Sequence, residues 1–367
     1  MESESVSKTL EYAYDDWTIA QMAQKMGDTE VFKQFTERAQ YYKNMYNPST
    51  GFMQGRFNNT WFGPFDPYEV NFNYTEANAW QYSLYAPQDI SGLMQLMGGK
   101  EQLAQHLDNL FAAKQETSGR KQPDITGLIG QYVHGNEPSH HMAYLYNFVN
   151  RPSDTQRIVR EILTTLYANA PDGVSGNEDC GQMSAWYVFS SLGFYPVTPG
   201  SNQYIIGSPL FEKATISLEN SKQFTVQANG ISNENFYIKS AKLNGKVLDR
   251  SYLYHQEIIS GGTLVFEMTN TPSLWGTQEH QIPSTQIQEH QILLTPFIAS
   301  GTVSFKNKTS ITLGVADPGA DIYYSIDKGE FIKYEAALAI SESVLFKTSA
   351  QKQGKNSGVL STQLFMM

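Results

Sequence analysis

The chain has 367 residues, enough for two or three domains, and a formal net charge of −10. That charge argues against a nucleic-acid partner, whose phosphates call for a basic face. The single cysteine, Cys180, excludes an internal disulfide framework, and no stretch approaches the ~18 consecutive apolar residues that mark a membrane span.

The opening residues, MESESVSKTLEYAYDD, lack a basic and apolar signal pattern and run straight into a helix. Leu10, Ala13, Trp17, Ala20 and the stretch Met22 to Met26 form its apolar stripe. Gly27-Asp28-Thr29 stops that helix and caps the next, which carries Val31, Phe35, Ala39 and Tyr42. Residues 47–67 are rich in Gly, Pro, Asn and aromatics without periodicity and read as a long structured loop. Further helical patterns lie near 76–85, 88–97, 100–114, 138–149, 153–169 and 180–193, with stops at Gly98-Gly99 and Gly193. Helices joined by short turns fit an α/α toroid, although a closed one needs more helices than the chain shows.

From about residue 200 the pattern changes to short alternating strands, with Leu243-Asn244-Gly245-Lys246 as a tight hairpin. The expected organisation is therefore an α+β multidomain chain, a partial (α/α)6 toroid followed by small β-sandwich domains. Its divisions are residues 1–199 for the barrel part, 200–272 for a β-sandwich, 273–294 for a linker holding two copies of EHQI, and 295–367 for an immunoglobulin-like β-module.

Three polar clusters stand out in the helical half. The first is Tyr74-Thr75-Glu76-Ala77-Asn78-Ala79-Trp80-Gln81-Tyr82. Glu76 and Trp80, four apart, share a face if this stretch is helical. A carboxyl beside an indole has its neutral form favoured by desolvation, as a general acid requires; a glutamate favoured at a helix start by the macrodipole is the alternative. The second is His134-Gly135-Asn136-Glu137-Pro138-Ser139-His140-His141. The proline makes Glu137 extended and starts a helix after it, so Asn136 and Glu137 project from a loop. Their oxygens suit Ca²⁺, whereas the histidine spacing is not a familiar zinc pattern; an N-cap with one buried histidine explains the same residues. The third is Gly176-Asn177-Glu178-Asp179-Cys180-Gly181-Gln182, where adjacent acids precede a helix. A carboxylate held at a helix start stays ionised and can act as a general base; capping by Asp179 is the plain alternative.

No phosphate-binding glycine loop and no G-x-S-x-G elbow occurs. Two separated carboxylates in an aromatic-rich helical domain best match glycoside hydrolysis. At these clusters the chain resembles glycoside hydrolase family 92, the α-mannosidases. The stretches that carry the likeness are GNEDCGQMSAWYVFSSLGFYPVTPGSNQYIIGSPLF (176–211), HGNEPSHHMAYLYNF (134–148), YTEANAWQYSLYAPQDISGLMQLMGG (74–99) and SVSKTLEYAYDDW (5–17). Ala77 stands where the family often has glycine.

The resemblance implies an exo-acting, inverting and Ca²⁺-dependent enzyme that removes terminal α-linked mannose. The family fold packs an N-terminal β-sandwich on an (α/α)6 barrel, with the active site between them. It implies Glu76 as general acid and Asp179 as general base, with Trp80, His140, Asn177 and Glu178 as substrate contacts. Asn136 and Glu137 are then Ca²⁺ or mannose contacts, and the roles of Glu76 and Glu137 can be exchanged. The implied setting is a periplasmic or secreted bacterial protein whose partners are mannose-containing oligosaccharides or glycoprotein glycans, as in N-glycan degradation. The same comparison implies that the N-terminal sandwich and first barrel helices are missing here, so this chain is expected to be inactive unless that domain is supplied. Two other readings stay open: a mannosyl-phosphate hydrolase, which an acidic Glu76 disfavours, and a mannose-binding fragment without turnover.

Overall fold

The computed structural model describes residues 2–219 and 221–367. They form two compact units, each discontinuous in sequence: Met1–Ala86 with Ser118–Arg120 and Ile287–Met367, and Pro87–Thr117 with Lys121–Gln286.

In the first unit, helix α1 (Ser5–Met26) buries Val6, Leu10, Ala13, Ala20 and Ala23 along one face. Gly27, at φ 78°, ends it by donating its N–H to Ala23 O, the left-handed cap that glycine adopts without a Cβ penalty. Asp28 then caps α2 (Thr29–Arg38) by accepting from Val31 N at 3.1 Å. An ion pair between Arg38 Nε and Asp16 Oδ2 at 3.0 Å ties the two helices together. A 3-10 turn, Tyr41–Met45, follows.

The segment expected as a loop is two hairpins: Tyr46–Asn47 with Phe52–Met53, and Arg56–Phe57 with Thr60–Trp61. Asn58 and Asn59, at φ 48° and 61°, make the second turn. Thr60 pairs in parallel with Ile298, so this hairpin extends a sheet of the C-terminal module. That sheet runs Leu338–Ile340, Thr309–Gly314, Phe297–Ser300, Thr60–Trp61, Arg56–Phe57. A second sheet runs Ser304–Phe305, Leu360–Met366, Val344–Lys352, Asp321–Ile326, Ile332–Lys333. Ile298, Ile311, Leu313 and Ile340 of the first pack on Phe305, Val344, Phe346 and Leu364 of the second. The short helix α3 (Ala79–Tyr82) completes the unit's helices.

The second unit holds α4 (Ile90–Leu96), α5 (Lys100–Ala112), α6 (Pro152–Thr165) and α7 (Gln182–Leu192), with 3-10 turns at Glu137–Ser139 and Met142–Val149. Its five-stranded sheet runs Lys213–Ser217, Gln223–Asn229, Gly262–Thr269, Tyr237–Leu243, Lys246–Leu248. Asn244 and Gly245, at φ 51° and 80°, form the hairpin turn that their dipeptide predicts, with Leu243 opposite Lys246. Phe194, Ile206, Phe224, Val226, Leu264 and Phe266 form the core beneath the sheet, and Phe189 and Leu192 seat α7 against it. Burying each such side chain contributes about 1.5–3 kcal/mol, which makes α7 a firm platform for the loop that precedes it.

Helices thus dominate up to residue 192 and strands after it, but the compact units do not follow the boundaries expected at 199, 272 and 294. Nor is 273–294 a free tether. Trp275 Nε1 donates to Leu248 O at 2.8 Å, Ser273 Oγ to Ile238 O at 2.6 Å, and Ser91 N to Thr285 O at 3.0 Å. Beyond residue 286 the strap joins the first unit, where Gln40 Nε2 donates to His290 O at 3.0 Å. The two EHQI copies therefore lie in different units. Among the described residues no helix is long and apolar enough to cross a membrane.

Candidate active site

In the first unit, Tyr74 Oη donates to Met53 O at 2.7 Å and Thr75 N donates to Ser7 Oγ at 2.8 Å, fixing the chain ahead of Glu76. The helix does not begin at Glu76. Asn78 caps α3: its Oδ1 accepts from Gln81 N at 3.3 Å, and Gln81 Oε1 accepts from Asn78 N at 3.0 Å. This reciprocal box starts the helix more strongly than Thr75 or Glu76 can, so the helical face that Glu76 and Trp80 were expected to share does not form. Glu76 is half-buried at φ 53°, in the left-handed region, which costs a non-glycine residue roughly 1–2 kcal/mol. Trp80, 8% exposed, packs edge-on against Phe52 with centroids 4.7 Å apart, and against Tyr68 at 6.0 Å.

In the second unit, the hairpin Leu128–Ile129/Tyr132–Val133 delivers His134-Gly135-Asn136-Glu137. Left-handed residues at Gly176, Asp179, Cys180 and Gly181 deliver Asn177, Glu178 and Asp179 to the start of α7. These two segments meet through bare glycine backbone. A Cβ on Gly135 would lie 2.1 Å from Thr126 Oγ1 and 3.0 Å from Ser175 O. One on Gly176 would lie 2.8 Å from Thr126 Oγ1 and 3.4 Å from Gly135 O. The glycines that precede each Asn-Glu pair are thus what lets the two motifs adjoin.

Within the third cluster the acids divide their roles. Glu178 accepts from the N–H of Gly181 and from that of Ser184 (3.1 Å), so Glu178, rather than Asp179, caps α7. Hydrogen bonding by Ser184 first, and by Gly181 after it, holds the Glu178 carboxyl below its ordinary range. Its carboxylate is thus directed to the helix end instead of the expected substrate contact. Asp179 is exposed at φ 52°, and no described residue hydrogen-bonds its carboxylate. Asn177 Nδ2 reaches Asp124 Oδ1 at 3.5 Å. Asp124 is an acid that the sequence pattern does not single out, since it sits alone in an irregular stretch.

The second cluster rests on an aromatic box. Trp186, fully buried on α7, meets His134 edge-on at 4.5 Å and stacks on Tyr167 at 6.1 Å. His134 pairs Nδ1 with Tyr132 Oη at 2.8 Å and Nε2 with Tyr167 Oη at 2.7 Å. His140 is 2% exposed; its Nε2 donates to His134 O at 2.9 Å and its Nδ1 accepts from Gln182 Nε2 at 3.0 Å. Both ring nitrogens are committed inside the protein, which leaves His140 none for the expected substrate contact. Burial pushes the His140 imidazole down to about 4, so it is neutral near pH 7. Gln182 also donates to Tyr195 Oη at 3.2 Å. Burial, with a contribution from the Glu137 carboxylate, pushes that phenol up to about 12. Glu137 itself is exposed and opens the 3-10 turn rather than preceding it; Asn136, ahead of it, is extended and half-buried.

The uncommitted oxygens of Asn136, Glu137 and Asp179 are hard donors that suit Ca²⁺, while the ring nitrogens of His134 and His140 are already engaged. Among the described residues no three His, Cys, Asp or Glu side chains gather as a metal cage. The chemistry of these donors fits a hard cation that takes its remaining ligands from water, substrate or elsewhere in the protein. Asn136, Glu137, His140, Asn177, Glu178 and Asp179 all belong to the second unit, and Glu76 and Trp80 to the first.

The profile of the glycosyl hydrolase family 92 catalytic domain matches residues 1–270. A family 92 α-mannosidase from Bacteroides thetaiotaomicron, solved with mannoimidazole, is similar at 41% identity and a TM-score of 0.74, covering 79% of this chain and 40% of that one. An inverting family 92 mannosidase from the same organism is 38% identical with a TM-score of 0.71, covering 78% of this chain and 40% of that one. An uncharacterized secreted glycosidase from Arthroderma benhamiae is 28% identical over 306 residues, covering 76% of this chain and 37% of that protein. The chain thus spans about two fifths of the length of these relatives.

Proposed function

We propose, because this chain belongs to glycosyl hydrolase family 92, that it is part of an inverting exo-α-mannosidase acting on terminal α-linked mannose of oligosaccharides or glycoprotein glycans. In the whole enzyme the helices before residue 193 would form part of an (α/α)6 barrel, and an N-terminal β-sandwich would supply the remaining wall of the site. A periplasmic or secreted setting goes with this reading.

The observation that carries it is Asp179: exposed, in the left-handed region, and kept out of capping because Glu178 takes the start of α7. A carboxylate left out of capping is available to deprotonate water. Glu76, lifted ahead of α3 by the Asn78 box, is the proposed acid that protonates the leaving oxygen. Trp80 and Asn177 are proposed to border the sugar. Asn136 and Glu137 would hold Ca²⁺; a bound Ca²⁺ would supply electrostatic pull on vicinal sugar hydroxyls. The positions of both side chains depend on Gly135 meeting Gly176.

The test is mannose release from a panel of α-linked mannobioses by the whole protein, with and without EDTA, beside Glu76→Gln and Asp179→Asn. Release that needs Ca²⁺ and is lost in both variants supports the assignment. Full activity in Glu76→Gln would transfer the acid role to Glu137. Mannose binding with no release in any form would replace the hydrolase reading with that of a binding protein.

A further inference from the structure

Glu76 stands at φ 53°, two residues after Tyr74 and three before the start of α3. Such a conformation persists only where its surroundings over-determine it. Two short hairpins of the first unit grip the chain on both sides of it. Ahead of Glu76, Met53 O accepts from Tyr74 Oη at 2.7 Å. Gly55 lies so close to Asn73 that a Cβ on it would sit 2.6 Å from Asn73 Oδ1. Beyond Glu76, Met53 N donates to Oγ of Ser83, the residue that closes α3, at 3.0 Å, and Phe52 meets Trp80 edge-on at 4.7 Å. Gln54, 4% exposed, holds the two hairpins as one piece: its Nε2 donates to Phe62 O at 2.6 Å and its Oε1 accepts from Asn47 Nδ2 at 2.7 Å. Phe62 N donates in turn to Gly55 O at 2.8 Å.

The far end of the second hairpin lies in the C-terminal module, outside the family 92 match, which ends at residue 270. Asn59 touches both sheets of that module. Its O accepts from Ile298 N at 2.9 Å, and its Nδ2 donates to Thr348 Oγ1 at 3.4 Å. Arg56, opposite Trp61 in the hairpin, completes the join. Its guanidinium lies 4.4 Å from the Trp61 ring centroid and 5.3 Å from that of Phe297, and these two rings are 5.0 Å apart. A planar cation against two aromatic rings fixes their mutual orientation. Arg56 Nη1 also donates to Thr295 Oγ1 at 3.4 Å, and Thr295 is fixed by Asn44 Oδ1, which accepts from its N and its Oγ1 at 2.9 Å. Strands as short as Arg56–Phe57 and Thr60–Trp61 do not hold a hairpin by themselves; this one is held by the module.

We propose that Arg56 is a positioning residue: through its clasp with Trp61 and Phe297 the C-terminal module fixes the two hairpins, and the hairpins fix Glu76. The functional half of the proposal rests on the acid role given to Glu76 above; the mechanical half does not. A displacement approaching 1 Å at a proton donor can cost ~100-fold in turnover. The module therefore takes part in the reaction without touching the sugar.

The mechanical test is amide hydrogen exchange in the chain, for the wild type, Arg56→Met, Arg56→Lys and Phe297→Leu. Exchange over residues 74–83 should quicken by about tenfold in Arg56→Met and Phe297→Leu, less in Arg56→Lys, while α1 keeps its wild-type rates. Faster exchange confined to the hairpin, or spread equally over α1, overturns the proposal. If Phe297→Leu fails to fold, the two Arg56 variants decide, since wild-type exchange at 74–83 in both overturns it. The functional test is turnover by the whole protein of an α-mannobiose and of 2,4-dinitrophenyl α-mannoside, whose leaving group departs without a proton. Arg56→Met should lose about tenfold on the mannobiose and little on the aryl mannoside, the pattern that Glu76→Gln should show more strongly. Equal loss on both substrates in Arg56→Met overturns positioning of the acid. Equal loss in Glu76→Gln instead overturns its acid role, and with it the functional half. No hydrolysis of either substrate by the wild type overturns the mannosidase reading, and hydrogen exchange alone then judges the mechanical half.

Discussion

Replacing Gly135 by alanine tests whether the two motifs of the second unit work as one site. The backbone of Gly135 is not left-handed, so the substitution adds no strain in φ and its effect is steric. The new Cβ would sit 2.1 Å from Thr126 Oγ1, 3.0 Å from Ser175 O and 3.2 Å from Thr126 O. The hydroxyl can be removed by Thr126→Ala, and it has no hydrogen-bond partner to lose. The two carbonyls belong to the backbone and must each give by a few tenths of an ångström. Overpacking of this kind costs about 1–3 kcal/mol, or roughly 2–4 °C of melting temperature per kcal/mol in a unit of this size. The displacement falls on the segment that bears Asn136 and Glu137 and on the one that leads to Asp179. A shift approaching 1 Å there can reduce turnover by ~100-fold. The double variant with Thr126→Ala keeps only the carbonyl contacts and should recover most of both losses. The assay is thermal unfolding plus mannoside turnover of the whole protein. Wild-type turnover in Gly135→Ala, at a melting temperature lowered as expected, would show that the contact is structural and that the motifs need not adjoin for catalysis.

Asp179→Asn, Asp179→Ala and Asp179→Gly should each reduce turnover by about 10²–10⁴-fold if Asp179 is the base. Only alanine should also lower stability, by ~1 kcal/mol, because Asn and Gly tolerate φ 52°; equal melting temperatures for Asn and Ala would argue against strain there. Glu178→Gln should lower the melting temperature near pH 7, by a difference that shrinks as pH falls below the ordinary glutamate range. The Glu178 carboxyl is held below its ordinary value, so its stabilisation is present above that value and disappears as pH falls through the depressed one; a pH-independent difference would rule out the ionised cap. His106 and His140 are each pushed down to about 4 by burial, so the unfolded chain binds more protons between pH 6.5 and 4 and stability should fall across that window. His140→Gln should lessen that pH dependence without abolishing it, since burial also pushes His106 and His134 down; an unchanged slope in unfolding titrations would show that His140 does not contribute to it. Asn78→Ala should cost about 1 kcal/mol through loss of the α3 capping box, and should lower turnover if the cap is what positions Glu76.

Elements made of local contacts were legible in the sequence. The stop at Gly27 and the Asn244-Gly245 turn each depend on neighbours within a few residues and appear where the pattern places them, whereas the expected α1 stripe holds through Leu10, Ala13 and Ala20 but not at Met22 and Met26, which are exposed. The hairpin Arg56–Trp61 was not, because its sheet partner, Phe297–Ser300, is remote in sequence. Its Asn58-Asn59 turn was the one available signal, masked by the surrounding glycines and prolines. For the candidate site, the motifs did not show the work of each side chain. A competition between caps decided that work: Asn78 displaced Glu76 as helix start, and Glu178 displaced Asp179. The committed ring of His140 was equally hidden, since its partners are a carbonyl six residues back and the side chain of Gln182.

That competition bears on why the motifs are built as they are. An acid next to a helix start is ordinarily drawn into capping, where its carboxylate is consumed by backbone N–H groups. In both motifs a neighbour does the capping, and the residue proposed for chemistry is displaced into the left-handed region, Glu76 at 53° and Asp179 at 52°. Such conformations cost on the order of 1–3 kcal/mol each and persist only where surrounding contacts over-determine them. Those contacts are present: Tyr74 and Thr75 are pinned before Glu76, and the Glu178 cap with the Trp186 anchor holds the chain around Asp179. Local rules are therefore broken at the two carboxylates proposed for the chemistry, and at Cys180 beside Asp179, while Asn78 and Glu178 obey them as caps. Glycine would hold either conformation without that cost, so an acid at each position is what the proposed acid and base roles predict.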